Sequence, residues 1–337
     1  MKPLTTKQRT ISISILAFIF IILAPIIILY SFGYRIDRQF TLQKTGGIFI
    51  HSTIPNASVF LDDEYVKDNG LFIKNVIIQD LTPNQSYSIR VQKDGYQSWV
   101  KDIYVYPTIV TEARLLMLPE KYEVREIFPF IDSDGNGTRV APAKILKSTS
   151  EEYISLVKLF EPEITKSEVT KKEISQTSNT NTKIKLKSDD SSVVPEKEVV
   201  KTKLDLFFES IDIKDYTKLK NLIINGKEVS WLDDSGIKIY WTDENNVAPY
   251  YYCGGEERIC TTSLQLEWND IKRFDYFPGR DDVWIVLTST GIFAVEVDNR
   301  SQRNIQNIYI GENLDFRLVT GGRLIIKDKS NIFEINL

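Results

Sequence analysis

From Ile11 to Phe32 the chain reads ISISILAFIFIILAPIIILYSF, 22 residues without a formal charge, bounded by Arg9 and Arg35. As a helix rising about 1.5 Å per residue, such a run reaches roughly 33 Å, which matches a hydrocarbon core of about 30 Å. Pro25 removes one backbone donor, a defect membrane helices tolerate as a kink. Tyr30 and Tyr34 lie where an interfacial aromatic belt sits. The run exceeds the apolar region of a secretory signal, and Leu29-Tyr30-Ser31-Phe32 offers no small-residue cleavage pattern. A retained anchor is therefore expected. Residues 1–10 carry Lys2, Lys7 and Arg9 with no acid and are expected in the cytoplasm. Arg35, Arg38 and Lys44 blunt that asymmetry, so the shortness of the tail decides: the larger parts belong on the extracytoplasmic side of the cell membrane.

Composition narrows the chemistry. Lys+Arg 42 against Asp+Glu 46 gives a formal charge of -4, leaving no general cationic field for a nucleic acid. One His and two Cys in 337 residues exclude structural zinc, iron–sulfur clusters and any site needing several imidazoles. No cofactor is expected, and the enzyme class loses ground. At this length two or three folded units are expected.

Past the anchor the pattern changes to strict alternation, as in Gly47-Ile48-Phe49-Ile50-His51 and Ala57-Ser58-Val59-Phe60-Leu61-Asp62, which marks strands. Pro55-Asn56 is turn chemistry and predicts a hairpin between them. Strands follow at Leu71–Gln79, Tyr87–Lys93, Tyr96–Tyr106 and Val110–Leu118, separated by Thr82-Pro83-Asn84 and Asp94-Gly95. His51 reads as an exposed strand residue rather than a ligand.

The order of these features resembles the PEGA domain, a small β-sandwich module of envelope and surface proteins. The resemblance covers residues 45–119 and rests on Gly47-Ile48-Phe49-Ile50, Ala57 to Asp62, Leu81-Thr82-Pro83 before Tyr87, and Gly95-Tyr96 with Trp99. At the name-giving tetrapeptide stands Ile54-Pro55-Asn56-Ala57, where Asn holds the backbone angle that Gly would. The resemblance implies a rigid spacer or adhesive module.

Residues 122–160 read as a β hairpin region. Within it Asp132-Ser133-Asp134-Gly135-Asn136-Gly137 fits the opening half of a calcium loop, with Asp132, Asp134 and Asn136 as candidate ligands. The twelfth position is Ala143 where a bidentate Glu is needed, and Arg139 adds a repelling charge. A hairpin turn between strands at Glu126–Ile131 and Thr138–Ile145 accounts for the same residues without metal. Residues 161–203 carry no aromatic side chain and read as a disordered linker or insertion.

Over residues 204–337 a strand, a polar turn and a second strand recur, with turn residues Gly236, Gly291 and Asn331 spaced 55 and 40 apart. Propeller blades repeat at about 40–45 residues, so a β-propeller-like or incomplete-propeller domain is expected. The longer interval holds an insertion, Tyr250-Tyr251-Tyr252-Cys253-Gly254-Gly255-Glu256-Glu257-Arg258-Ile259-Cys260. Its cysteines flank a glycine turn and are expected to pair outside the cytoplasm. The three tyrosines are candidate binding aromatics, with packing around a hairpin as the commoner reason for such a cluster.

The fold class is thus mainly β behind one transmembrane helix. The expected function is a membrane-anchored cell-envelope protein that displays β domains for binding or scaffolding, its partners being the lipid bilayer and an envelope glycan or protein. Catalysis by carboxylates is the alternative, drawing on Asp62, Asp63 and Glu64 or on Asp233 and Asp234. Adjacent strand residues face opposite ways and turn acids are ordinarily solvated, which weighs against it.

Overall fold

The computed structural model describes residues 6–36, 42–70, 74–127, 150–160, 202–243, 245–329 and 331–337. The uncharged run forms helix α1, Thr6–Ser31, with Pro25 inside it. It is long and apolar enough to cross a membrane, and none of its apolar window is buried against the rest of the chain. A short ribbon, β1 Tyr34–Ile36 with β2 Leu42–Lys44, follows directly. Arg35 lies 3.5 Å over the Tyr30 ring and pairs with Asp80 at 2.6 Å, so the helix end is tied to the β body beside it.

Seven strands then form two facing sheets. One holds β3 Gly46–His51 between β6 Val76–Leu81 and β9 Val110–Arg114. The other runs β5 Glu64–Asp68, β4 Ser58–Leu61, β7 Gln85–Gln92, β8 Trp99–Val105. The expected hairpin across Pro55-Asn56 does not form: β3 and β4 belong to different sheets. The chain crosses between them under Asn69, which is 4% exposed, accepts from the Ala57 amide at 2.6 Å and donates to the Ile54 carbonyl at 2.6 Å. The hairpin partner of β4 is β5, turned by Asp62 and Asp63, whose φ values of 48° and 66° fall in the left-handed region.

Three four-stranded antiparallel sheets make up the rest. The first is β11 Lys220–Asn225, β12 Glu228–Asp233, β13 Gly236–Trp241 and, after an insertion carrying β14 Cys253–Gly254 and β15 Ile259–Cys260, β16 Ser263–Glu267. The second is β17 Arg273–Tyr276, β18 Val283–Leu287, β19 Gly291–Glu296, β20 Ile305–Ile310. The third joins β21 Leu314–Val319, β22 Arg323–Asp328 and β23 Asn331–Asn336 to β10 Val124–Ile127, which precedes them all in the chain. The three repeat turns identified from sequence are one and the same feature, the hairpin between the second and third strands of each sheet. These sheets are open, however, and close no propeller ring among the described residues. The strand expected near Glu126 pairs with the chain's last strand; the hairpin partner expected at Thr138–Ile145 lies outside the described residues.

Alternation explains how the layers stack. On β18 the side chains of Val283, Ile285 and Leu287 enter one core with Ile48, Ile89 and Trp99 of the sandwich and Phe316 and Leu324 of the third sheet. Trp284 and Val286, on the opposite face, enter a second core with Ile237, Ile239, Leu264 and Tyr251 of the first sheet and its insertion. A strand buried on both faces reads as a continuous apolar run, which VWIVL is. Helix α2, Ser150–Lys158, packs Leu156 on Ile325 and Ile332, while helix α3, Lys203–Ser210, packs Phe208 on Val229 and Trp231. Thr202 caps α3 in a capping box with Asp205, so the last residues of the span expected as linker belong to a helix; residues 161–201 lie outside the described ones. Gly236 is required where it stands: at φ +136° an added Cβ would lie 1.9 Å from the Leu266 carbonyl oxygen.

Candidate functional site

The insertion between β13 and β16 builds the site. Pro249 leads into a single 3-10 turn, Tyr250–Tyr252, and the chain then reverses through β14 and β15 with Cys253 opposite Cys260 and joined to it by a disulfide. Gly255, at φ +76°, makes the reversal. The hairpin is pinned from outside. The Tyr106 hydroxyl of the sandwich donates to the Gly255 carbonyl, and the Arg300 stem passes so close to Gly254 that a Cβ there would lie 3.0 Å from Arg300 Cγ.

The three tyrosines do not form an exposed platform. Tyr251 and Tyr252 are each 2% exposed, because their hydroxyls turn inward to Glu228 Oε1 at 2.8 and 3.1 Å. Tyr276 adds a third donor, to Glu228 Oε2 at 3.3 Å. Burial raises the Glu228 carboxyl to about 7; the tyrosine hydroxyls oppose that rise and the negative charge of Asp281 adds to it. Burial first, and the Glu228 charge second, push the Tyr251 and Tyr252 hydroxyls well above their ordinary range. Tyr250 lies half-buried under the Arg300 guanidinium, 4.7 Å from its centre, with its hydroxyl 3.3 Å from Asp282. Its proton affinity is raised by burial and by Asp282 and Asp298, against the pull of Arg300.

Beside the hairpin an ionic cluster welds the sandwich to the second sheet. Lys101, on β8, is 2% exposed and meets Glu296 at 3.0 Å and Asp298 at 3.5 Å. Trp99 donates its indole N–H to Glu296 Oε1 at 2.5 Å. Burial alone would raise Asp298, but the hydrogen bond and charge of Arg300, with the charge of Lys101, hold it below the usual carboxylate range. Arg300 grips Asp298 bidentately at 3.0 and 2.8 Å, and Arg280 grips Asp282 likewise at 2.6 and 2.8 Å and donates to the Leu115 carbonyl across the boundary.

Between these parts opens a cleft of about 570 Å³. Lys238 and Tyr240 of β13 and Ser263, Gln265 and Glu267 of β16 line one wall. The hairpin residues Gly254, Gly255 and Ile259, with Asn299 and Arg300 from the loop after β19, line the other, and Tyr251 and Tyr252 reach its floor. Glu267 is the one carboxylate among the lining residues. Lys238 pairs with Asp233 at 2.7 Å, and the Tyr240 ring stacks on Trp231 at 5.1 Å. Besides Lys238, Arg300 and Glu267 the lining offers the side-chain amides of Gln265 and Asn299 and the hydroxyls of Thr261 and Ser263, groups suited to recognition by hydrogen bonds.

The other residues singled out from sequence lie elsewhere. Asp132, Asp134 and Asn136 fall outside the described residues. Asp62 accepts from the Ser88 amide and Asp63 pairs with Arg90 at 3.0 Å, both as turn formers. Glu64 opens the exposed strand β5. Asp233 accepts from the amides of Ser235 and Gly236 and shapes the β12–β13 turn, with Asp234 fully exposed beside it. His51 sits 2.7 Å from Glu112 across the parallel β3–β9 pair, a partner the local sequence does not reveal. Among the described residues no three His, Cys, Asp or Glu side chains gather as a metal site would require. Sequence reasoning missed Glu228 altogether. Its partners stand 23, 24 and 48 positions away, and no local pattern carries that information. In comparisons with known proteins, no family model, no curated protein and no solved structure matches the chain.

Proposed function

We propose that this chain is a single-pass membrane protein whose β domains stand outside the cytoplasm and bind a component of the cell envelope, a polysaccharide, a peptidoglycan strand or a protein. The observation that carries the reading is the open cleft of about 570 Å³ walled by a disulfide-closed hairpin, on a β body tied directly to an apolar helix. A disulfide suits an oxidising compartment. The ionic cluster around Lys101 supports a rigid body, since a fixed relation of sandwich and sheets lets the anchor set where the cleft stands. The PEGA resemblance of residues 45–119 supports a spacer role for the sandwich. The repeating second-to-third-strand hairpins, and the pairing of β10 with the last strand, support an incomplete, propeller-related arrangement for the three sheets. Carboxylate catalysis draws less support, because among the described residues Glu267 is the one carboxylate lining the cleft and Glu228 is held beneath tyrosine hydroxyls.

Alkaline extraction of membranes, external protease on intact cells and thiol alkylation without reductant test this reading on the full chain. Retention in the membrane pellet, cleavage from outside and unreactive Cys253 and Cys260 are expected. Release into the supernatant, or protection of the β domains from external protease, overturns it.

A further inference from the structure

Among the described residues the buried acids are Glu228, Asp282, Glu296, Asp298 and Glu334, and all but the first have a cation: Asp282 has Arg280, Glu296 has Lys101, Asp298 has Arg300 and Glu334 has Arg125. Glu228 forms no ion pair among those residues and meets the hydroxyls of Tyr251, Tyr252 and Tyr276 instead. Its surroundings offer no cation to spare. Lys227, next to it in the chain, has its amine on Asp243 at 2.6 Å. Strands β11 and β13 set the uncharged Asn225 and Trp241 opposite it, and β18 adds the uncharged Trp284 to the core that holds the tyrosines. The loop after β17 brings Asp281, a like charge that pairs with Arg114 at 2.6 Å.

The insertion hangs on the same tyrosines. Its strands β14 and β15 pair only with each other, and among the described residues the backbone-to-backbone bonds of 250–260 reach no farther than Pro249 and Thr261. Its hydrogen bonds to the body run through tyrosine hydroxyls: Tyr251 and Tyr252 to Glu228, Tyr250 to Asp282, and Tyr106 to the Gly255 carbonyl. Tyr251 and Tyr252 line the cleft and Glu228 does not, so their rings separate its carboxyl from solvent in the cleft. A neutral carboxyl needs no cation in that position. A carboxylate carries a full charge there beside Asp281, without water or a counter-charge, which is strongly unfavourable. The smallest movement that relieves it is to lift the two tyrosines and hydrate the carboxylate, because the insertion, unlike the sheet strands, has no backbone bonds to the body. Burial accordingly raises the carboxyl to about 7.

We propose, resting on the binding reading above, that Glu228 and its tyrosines form a proton-operated latch on the cleft: the protonated carboxyl seats the insertion and so builds the cleft wall, and ionisation lets Tyr251 and Tyr252 lift and takes that wall away. The sign follows from linkage. A released carboxyl returns to its ordinary value of 4.5 while the seated one stands at about 7, so seating is strongest below 4.5, weakens as pH rises between the two, and levels off above about 7. Opening is then favoured more than about tenfold at about pH 7.5 over about pH 5. The cleft holds its partner in acid and lets go toward neutrality.

The test follows amide hydrogen exchange by mass spectrometry on the full chain in detergent micelles at about pH 5 and about pH 7.5, each rate divided by the intrinsic rate at that pH. Residues 249–261 are the reporter and residues 283–296, in β18 and β19, the reference. The reporter should exchange ahead of the reference at both pH values and speed up more than about tenfold from the lower to the higher. In Glu228→Gln, which cannot ionise, the reporter should not respond to pH. An unchanged rate in the native chain, the same response in the variant, or exchange of both segments at one common rate, which marks opening of the whole body, overturns the proposal. Should Glu228→Gln not fold, the native chain's reporter against its reference decides. Membrane retention and protease exposure are read independently, so failure here leaves the anchoring reading to its own test.

Discussion

Replacing Glu228 by Gln gives the sharpest test of how the insertion is held. Glu228 is 3% exposed and its carboxyl is raised to about 7 from an ordinary value of 4.5. A carboxyl raised on folding binds a proton that the unfolded chain has already lost, so its contribution is complete below 4.5 and is lost as pH rises through about 7. At about 1.4 kcal/mol for each tenfold step, that gap amounts to about 3 kcal/mol. Gln keeps an oxygen for the hydroxyls of Tyr251, Tyr252 and Tyr276 but cannot ionise. Its amide gains a donor with no designated acceptor, at a pH-independent cost of about 1 kcal/mol. Urea unfolding of the full chain in micelles, followed by tryptophan fluorescence from pH 4 to 8, separates the two terms. Wild type should lose about 3 kcal/mol relative to Glu228→Gln across that range, so the variant, weaker by about 1 kcal/mol at the acid end, becomes the more stable form from about pH 5 upward. Parallel curves at all pH values would refute the reasoning, since they would mean Glu228 does not titrate with the fold.

Lys101→Met leaves Glu296 and Asp298 buried without their shared cation, and should cost about 3–5 kcal/mol by denaturant unfolding. Replacing both Cys253 and Cys260 by Ser opens a loop with a sequence separation of 7 and should cost roughly 2–3 kcal/mol, read as a lower melting temperature matched by reductant treatment of wild type. Gly236→Ala forces a Cβ against the Leu266 carbonyl at a positive φ and should lower stability by more than about 2 kcal/mol, with an unchanged melt counting against the turn geometry. Phe208→Ala empties the contact that docks α3 on Trp231 and Tyr216 and should cost about 3–5 kcal/mol, with faster amide exchange confined first to residues 203–219.

Local pattern carried a good deal of this protein. The uncharged run, the period-two alternation of the strands, the turn chemistry at Gly236, Gly291 and Asn331, and cysteines placed to face each other are all readable over a few residues, because helix length, strand alternation and turn angles are set by near neighbours. What tertiary structure alone decided is which strands pair and what their polar ends meet. Pro55-Asn56 reads as a hairpin turn yet carries the chain between sheets, because Asn69 and the partners of β3 on either side offer more bonds than β4 does. The strand near Glu126 waits for the end of the chain, since β23 presents the open edge it fits. The Tyr250–Tyr252 cluster turns inward because Glu228, far back in the sequence, needs donors when buried. Contacts between residues distant in sequence depend on how whole layers stack, and that is settled only when the apolar faces of β18 are covered on both sides.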